Sequence, residues 1–261
     1  MEYLAGHWDS YWYYTTNFAM YDDPKESSES NVKYYFIDQD FDLTWGLGLS
    51  DTVNRYGKDF PSQSYKNDVH RIWNVGSNDG PDRYAVDKFL DDNTLTKGMF
   101  EAYLVSIVKH IFNPVAMRAK VDAYAERIRP ELLWEYTEVQ KQFSSTNVKK
   151  YNFNIEDFDV NIEKGGKYHY WGIMDWTEMR ANAVAQEFNF QYDTFPITPA
   201  DAEKIKVKDV EPMEATGNYE EYTGPQITEQ LASYDNNSSD ASTMITISKS
   251  LFIILLLYLL L

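Results

Sequence analysis

Apolar and polar residues alternate along residues 34–46, whose sequence is YYFIDQDFDLTWG. One parity is apolar except at Gln39, and its apolar members are Ile37, Phe41, Leu43 and Trp45. From position 38 to position 44 the other parity is polar, and its members there are Asp38, Asp40, Asp42 and Thr44. A period of two is typical of a half-buried β-strand. The pattern therefore predicts a strand whose three aspartates share one face, roughly 6 to 7 Å apart along the chain.

Helical spacing dominates after Arg83, whereas glycines and prolines indicate loops over residues 46–82. Apolar residues that recur every three or four positions predict α-helices. The predicted helices cover residues 83–92, 96–112, 114–129, 130–143 and 174–188. Two of them begin at a proline, Pro114 and Pro130, which suits the first helical position. The elements predict an α+β, mainly α domain over residues 1–195, in which a small β element carries the acidic strand.

The composition changes after Phe195. Residues 196–240 contain four prolines, ten acidic residues and three lysines, with no sustained hydrophobic period. Such a segment buries too little apolar surface to fold alone, so it is predicted to be a stalk or linker.

The chain ends in the uninterrupted apolar run LFIILLLYLLL, residues 251–261. As a helix this run would reach about 16 Å, at ~1.5 Å per residue, which is short of a ~30 Å hydrocarbon core. Small residues, a polar spacer and a short apolar tail are typical of a GPI-anchor signal, here predicted over residues 241–261. The candidate attachment residues are Asn237, Ser238 and Ser239. The alternative is a single-pass tail anchor that extends back to Met244 and contains Lys249.

Asn236 and Asn237 each begin an N-x-[ST] sequon, so both are candidate glycosylation sites on a secretory route. The first residues, MEYLAGHWDS, have no basic region followed by an apolar run, so they are not a signal peptide. Either the tail is not an anchor signal or the chain lacks its true beginning. We expect the second.

The chain of 261 residues carries a net charge of −17 and has no cysteine. An acidic chain without a basic stripe is a poor partner for nucleic acid or for an anionic membrane surface. The absence of cysteine excludes a disulfide framework and a thiolate metal site.

Carboxylates at every second position have two interpretations. They form a solvated strand edge, or they supply oxygen ligands for a hard cation such as Mg²⁺ or Ca²⁺. An EF-hand is excluded, because Leu43 and Leu49 stand where its loop requires Gly and Glu.

An aspartate, a nearby asparagine and a later aspartate on a strand occur in the same order in the phosphoryl-transfer apparatus of kinases. Asp9, Asn17 and Asp40 follow that order here. Alternatively, Asp9 is only the N-cap of a following turn. His7 precedes Asp9 by two residues, as in the HxD motif of kinases, or else it is a structural hydrogen-bonding residue.

Four segments in this order resemble the CotH kinases, the spore-coat-protein-H family, and especially the GPI-anchored surface proteins of mucoralean fungi. The segments are EYLAGHWDSYWYYTTNFAMY, FIDQDFDLTWG, HIFNPVAMRAKVDAYAERIRPEL and MDWTEMRANAVAQEF, and together they span roughly residues 1–195. The resemblance implies the C-terminal lobe of an atypical protein-kinase-like fold.

The resemblance also implies roles for individual residues. Asp9 would be the catalytic aspartate, Asn17 a metal ligand, Asp40 the main metal aspartate and Asp42 a second acidic metal position. Asp38 stands where the family often has proline and is left outside the chemistry. ATP and Mg²⁺, or Mn²⁺, would be the cofactors.

A kinase also needs an N-terminal lobe that covers the phosphates and supplies a Lys–Glu pair. The implied catalytic loop lies within ten residues of Met1, so that lobe is expected to be absent, and no other segment replaces it. The chain is therefore interpreted as the C-terminal portion of a longer protein, and we expect it to be inactive alone.

Two functions follow from the resemblance. The first is a fragment of a secretory-pathway, Mg²⁺-dependent kinase that phosphorylates Ser or Thr of spore-coat or surface proteins. The second is a non-enzymatic, GPI-anchored protein of the spore or hyphal surface that acts in adhesion or host-cell invasion through host-cell receptors. Both imply a location at the cell surface or spore coat, with the membrane reached through a lipid anchor.

Overall fold

The computed structural model describes residues 1–49, 54, 56–69, 83–91, 94–139, 153–166 and 169–205. Two strands pair in it: β1 (Phe18–Asp22) and β2 (Tyr34–Asp38). The helices are α1 (Glu2–Ala5), α2 (Tyr11–Tyr14), α3 (Tyr65–Val69), α4 (Tyr84–Val86), α5 (Thr94–His110), α6 (Pro114–Trp134), α7 (Ile155–Glu163), α8 (Ile173–Glu187) and α9 (Pro199–Ala202). A 3₁₀ turn covers Gly57–Ser62, and π turns follow α4 and α6 over Asp87–Asp91 and Glu135–Val139. The predicted mainly helical, α+β character is confirmed.

Helix α8 lies at the centre of the described core. It packs against α1, α5, α6, α7 and the 3₁₀ turn. Its buried side chains lie along one face and are Met174, Trp176, Thr177, Arg180, Ala181 and Val184. Trp176 is fully buried, and its indole Nε1 donates to the carbonyl of Leu4 over 2.9 Å. This hydrogen bond fixes α1, the helix that leads into the candidate site, against the core.

Gly6, the C-cap of α1, adopts the left-handed conformation with φ 61°. A Cβ atom at this position would overlap the indole ring of Trp176. Glycine is therefore required here for two reasons: the positive φ and the close approach of α8.

Replacing Gly6 with alanine should lower the free energy of unfolding by about 2 to 3 kcal/mol, through left-handed strain and overpacking. Gly57 is the matched control, because it has a similar φ of 54° but open space around its Cα. Gly57→Ala should cost only about 1 kcal/mol, the strain alone. Urea denaturation followed by circular dichroism measures both values. Equal losses would mean that contact with Trp176 does not restrict position 6.

Strands β1 and β2 form an antiparallel hairpin in which Phe18 pairs with Asp38 and Asp22 with Tyr34. One face carries the stacked rings of Phe18 and Phe36, whose centroids are 5.2 Å apart. Tyr11 of α2 packs edge-on against both rings. The hairpin is thereby attached to α2 by aromatic contacts.

The predicted strand over residues 34–46 is too long. Strand β2 ends at Asp38, because Asp40 adopts a left-handed φ of 58° and residues 41–43 turn. The period of two is lost at that point, so the prediction that the three aspartates share one strand face is wrong. The apolar parity is not uniformly buried either, since Ile37 and Phe41 are exposed.

The predicted helices 83–92, 96–112 and 174–188 correspond to α4 with its π turn, α5 and α8. The prediction of a new helix at Pro130 is wrong, because Pro130 lies inside α6. Pro130 has no N–H to donate to the carbonyl of Glu126, four residues earlier. Residues 126–128 and 130 are exposed, so water can donate to this carbonyl instead. Helix α7 was not predicted, although Asn154 and Asp157 form a capping box at its start.

The predicted stalk, residues 196–240, is described only up to residue 205, and there Thr198 caps the short helix α9. The anchor signal over residues 241–261, the sequons at Asn236 and Asn237, and the attachment candidates lie outside the described residues. Within the described part, no helix combines the length and apolar character that crossing a bilayer requires.

Candidate functional site

Asp9 is held by two side chains that follow it in the chain. The Thr16 hydroxyl donates to Asp9 Oδ1 over 3.2 Å. The Asn17 amide Nδ2 donates to Asp9 Oδ2 over 3.1 Å and to the Asp9 carbonyl over 2.7 Å. Each carboxylate oxygen thus accepts one hydrogen bond, which fixes the direction of the side chain. The structure brings together Asp9 and Asn17, the first two residues of the predicted site.

Two left-handed residues reverse the chain and place the Asn17 side chain beside Asp9. Thr15, the C-cap of α2, has a left-handed φ of 60°, and Asn17 has a φ of 52°. Asparagine is among the residues that tolerate this region best. The carbonyl of Asn17 then accepts a hydrogen bond from the Gln39 N–H over 2.9 Å, which extends the β1–β2 ladder by one residue pair.

Asp9 is not the N-cap of α2. Ser10 occupies that position, and the N–H groups of Tyr11 and Trp12 donate instead to the Glu2 carboxyl, over 3.3 and 2.9 Å. The carboxylate of Asp9 therefore remains directed towards Thr16 and Asn17.

Asp40 and Asp42 are exposed and lie in the turn that follows β2. The Thr44 hydroxyl closes this turn by donating to the Phe41 carbonyl over 2.8 Å. A second contact holds the start of this turn. His7 is fully buried, and its Nε2 lies 3.0 Å from the Gln39 carbonyl oxygen. Gln39, the residue before Asp40, therefore contacts one residue that precedes Asp9 in the chain, His7, and one that follows it, Asn17.

The described residues contain no group of three or more His, Cys, Asp or Glu side chains close enough to hold a metal ion by themselves. Mg²⁺ is usually bound by one or two carboxylates, with phosphate oxygens and water completing its shell. The chemistry of the donors fits that use: Asp40 and Asp42 are exposed carboxylates, and Oδ1 is the side-chain ligand atom of Asn17 that remains once Nδ2 is engaged with Asp9.

Sequence reasoning missed an acidic pair beside the site. Glu2 is buried, and its carboxyl group lies within hydrogen-bonding reach of Asp38, the last residue of β2. Burial, and next the Asp38 charge, raise the pKa of Glu2 to about 8. The one sequence signal was an acidic residue at the start of the aromatic-dense segment 1–21. Thr16 was also not predicted, because its hydrogen bond to Asp9 forms only in the folded chain.

Comparison with known proteins defines the class to which this mainly helical domain belongs. The family model described as CotH kinase protein matches residues 1–168. The chain therefore belongs to the CotH kinase protein family, as the resemblance of the four sequence segments indicates.

Curated relatives come from Rhizopus delemar. Invasin CotH2 is 34% identical over 209 residues, which cover 76% of this chain and 31% of that protein. Invasin CotH3 is 30% identical over 228 residues, or 84% of this chain and 34% of that protein. Spore coat protein homolog 1 is 29% identical over 189 residues, or 70% of this chain and 28% of that protein. The chain thus spans about a third of the length of these relatives. No solved structure matches it significantly.

Proposed function

We propose that this chain carries the catalytic aspartate and the metal ligands of a CotH-type kinase-like lobe that transfers phosphate to Ser or Thr of spore-coat or surface proteins. The observation that carries the proposal is the hydrogen-bonded connection between the two halves of the site. Asp9 is held by Asn17, and the residue before Asp40 is held by Asn17 and by His7. Family membership adds to this, because the matched family is described as a kinase.

Each residue has a role that its contacts support. Asp9 accepts the proton of the acceptor hydroxyl, and the hydrogen bonds from Thr16 and Asn17 keep its carboxylate oriented for that task. Asn17 Oδ1 and the carboxylates of Asp40 and Asp42 would hold the divalent ion, Mg²⁺ or Mn²⁺. ATP would supply the phosphoryl group, and the ion would neutralise negative charge on its phosphates.

Metal binding tests the proposal without requiring a phosphate-covering lobe. In an electron paramagnetic resonance titration of the full chain with Mn²⁺ and ATP, Asp40→Asn should weaken Mn²⁺ binding about 10-fold or more, because it removes an anionic ligand. Asp42→Asn should have a smaller effect in the same direction. The control is Asp59→Asn, which neutralises an exposed aspartate of the 3₁₀ turn and should leave the affinity unchanged.

Unchanged Mn²⁺ affinity in Asp40→Asn, with the variant folded by circular dichroism, would remove Asp40 from the metal site. The proposal would then lose its phosphoryl-transfer chemistry. Equal weakening in Asp40→Asn and Asp59→Asn would indicate only non-specific attraction to an acidic surface.

The second candidate function is surface adhesion. Three relatives are named invasins and one a spore coat protein homolog, which supports a location at the cell surface or spore coat. The hairpin also exposes large apolar side chains suited to a contact surface, namely Met20, Tyr21, Tyr34 and Ile37. An adhesive role places no requirement on Asp40, so the metal titration separates the two functions. In either case residues 241–261 would direct attachment of a GPI anchor.

A further inference from the structure

The hairpin of β1 and β2 has one face that is open to solvent. On the other face, Tyr11 packs against the rings of Phe18 and Phe36. Side chains alternate along a strand, so two cross-strand pairs share the opposite side of the sheet. These residues, which we call the open face, are Ala19, Tyr21, Tyr35 and Ile37. Tyr21 is 52% exposed and Ile37 is 46% exposed.

The open face is a continuous apolar patch. The rings of Tyr21 and Tyr35 are neighbours, with their centroids 6.3 Å apart, and Ile37 follows Tyr35 on the same face. Adjacent exposed apolar side chains mark contact surfaces, whereas single ones are ordinary. Tyrosine is enriched in interfaces because it combines an apolar ring with a polar hydroxyl group. A two-stranded hairpin is only marginally stable by itself, so burial of this face by a partner would also stabilise it.

Lys33 shows that this face accommodates a cation. Its Nζ atom lies 5.0 Å from the centroid of the Tyr35 ring, and it forms an ion pair with Glu26. The Tyr35 hydroxyl in turn donates to Glu26 Oε2 over 3.0 Å. The ring of Tyr35 is thus already occupied by a lysine of the same chain. The neighbouring ring of Tyr21 can receive a basic side chain from outside in the same manner.

The surroundings of the open face are acidic. Residues 17–44, which contain the hairpin, its connecting loop and the turn after β2, hold seven acidic residues and two lysines. Glu26 is paired with Lys33, and Asp38 is engaged with Glu2, so neither is counted for a partner. The acidic residues that remain are Asp22, Asp23, Glu29, Asp40 and Asp42. The remaining lysine is Lys25, which is exposed.

This charge distribution discriminates between possible occupants of the open face. A second copy of the chain would bring a net charge of −17 and the same acidic hairpin, so like charges would repel. Nucleic acid and an anionic membrane are disfavoured for the same reason. A polypeptide that carries both apolar and basic side chains is complementary to the patch and to its surroundings.

We propose that the open face is a docking surface for a basic polypeptide. Apolar side chains of the partner pack on Ala19, Tyr21 and Ile37, and its lysine or arginine side chains reach the Tyr21 ring and the surrounding carboxylates. The patch is small, so the complex is of the weak, transient class. The inference rests on neither proposed function, because such a partner docks whether the chain transfers phosphate or only adheres.

The test is a fluorescence anisotropy titration of a dye-labelled, capped heptapeptide of alternating lysine and leucine with the full chain. Two matched peptides replace every leucine with serine or every lysine with glutamate. We expect saturable binding of the lysine–leucine peptide, about 10-fold or more weaker binding of the lysine–serine peptide, and no binding of the glutamate–leucine peptide. Raising the salt from about 0.1 M to about 1 M shortens the Debye length from about 10 Å to about 3 Å and should also weaken binding.

Variants locate the binding on the hairpin. Tyr21→Thr and Ile37→Thr make the open face polar but keep a residue that suits a strand. Each should weaken binding of the lysine–leucine peptide by about 5-fold or more. The matched controls are Tyr124→Thr and Ile128→Thr, which remove the same side chains from α6, where they are 61% and 40% exposed. Both controls should retain the parent affinity. The hairpin variants are independent of each other, so either one that is folded by circular dichroism decides.

Several results would overturn the proposal. Absence of binding, or an affinity that is unchanged in the folded hairpin variants, would exclude the open face. Equal weakening in the α6 variants would do the same. Equal binding of the lysine–leucine and lysine–serine peptides would mean charge attraction alone, and equal binding of the glutamate–leucine peptide would mean apolar adsorption alone. Self-association in sedimentation velocity that Tyr21→Thr abolishes would assign the face to a second copy instead.

Discussion

Replacing Trp176 with alanine should lower the free energy of unfolding by about 3 to 5 kcal/mol, the range for removing a large buried aromatic side chain. Trp176 is fully buried, and its ring packs against Phe60 and Trp171 at centroid distances of 5.8 and 5.2 Å. The substitution also leaves the Leu4 carbonyl without its indole donor. Urea denaturation followed by far-ultraviolet circular dichroism measures the loss without relying on tryptophan emission.

Trp134 offers a matched control, because it is the last residue of α6 and is 61% exposed. Trp134→Ala removes the same side chain and should change the stability by less than about 0.5 kcal/mol. A loss in Trp176→Ala no larger than that in Trp134→Ala would contradict the description of α8 as the centre of the core.

The second large effect is a pH-dependent loss of stability caused by Glu2. Its pKa in the folded chain is about 8, raised from 4.5 by burial and then by the Asp38 charge. Because the folded state holds this proton more tightly than the unfolded state, the contribution of Glu2 is fully present below about pH 4.5. It is lost as the pH rises through about 8, and it amounts to about 4 to 5 kcal/mol at ~1.4 kcal/mol per unit.

Glu2→Gln should remove this dependence. The glutamine oxygen can still accept from the N–H groups of Tyr11 and Trp12, and its amide can donate to Asp38 without a negative charge. We expect the variant and the parent chain to be similarly stable near pH 4.5, and the variant to be more stable by about 4 kcal/mol near pH 9. Denaturation curves at several pH values give the difference directly.

Glu203→Gln changes an exposed glutamate and controls for the change in net charge. The difference between each variant and the parent chain cancels the titration of groups that do not interact with the substituted residue. Parallel stability curves for Glu2→Gln and the parent chain would show that Glu2 titrates in the folded chain as it does when unfolded.

The sequence indicates the long helices well because their burial is periodic. Helices α5 and α8 fall within a few residues of their predicted limits, since apolar side chains recur along them every three or four positions. Periodicity does not predict where an element ends when the end is set by the backbone angle of one residue. The alternation of residues 34–46 continues past Asp38, but the left-handed Asp40 ends the strand. Pro130 is accommodated inside α6, where local preference alone predicts a boundary.

In the candidate site, local contacts could likewise be predicted from the sequence, whereas long-range contacts could not. Asp9 and Asn17 could be paired in advance because a recognisable motif fixes their order, and their hydrogen bond is local, spanning eight residues. The His7 contact with Gln39 spans 32 residues and depends on how the hairpin docks on α2. The Glu2–Asp38 pair depends on burial by four separate elements, and no local pattern in the sequence encodes that.

Four of the five non-glycine residues with positive φ in the described chain are Thr15, Asn17, Asp40 and Trp45, all within the segment that builds the candidate site. This conformation costs an ordinary residue roughly 1 to 2 kcal/mol, a cost that falls mainly on Thr15 and Trp45 because asparagine and aspartate tolerate it better. Selection of variants for heat resistance alone would therefore favour relief of this strain by substitution. The increase in thermal stability would be accompanied by less precise positioning of Asp9 and Asp40. Higher stability and precise site geometry therefore place opposite demands on this segment.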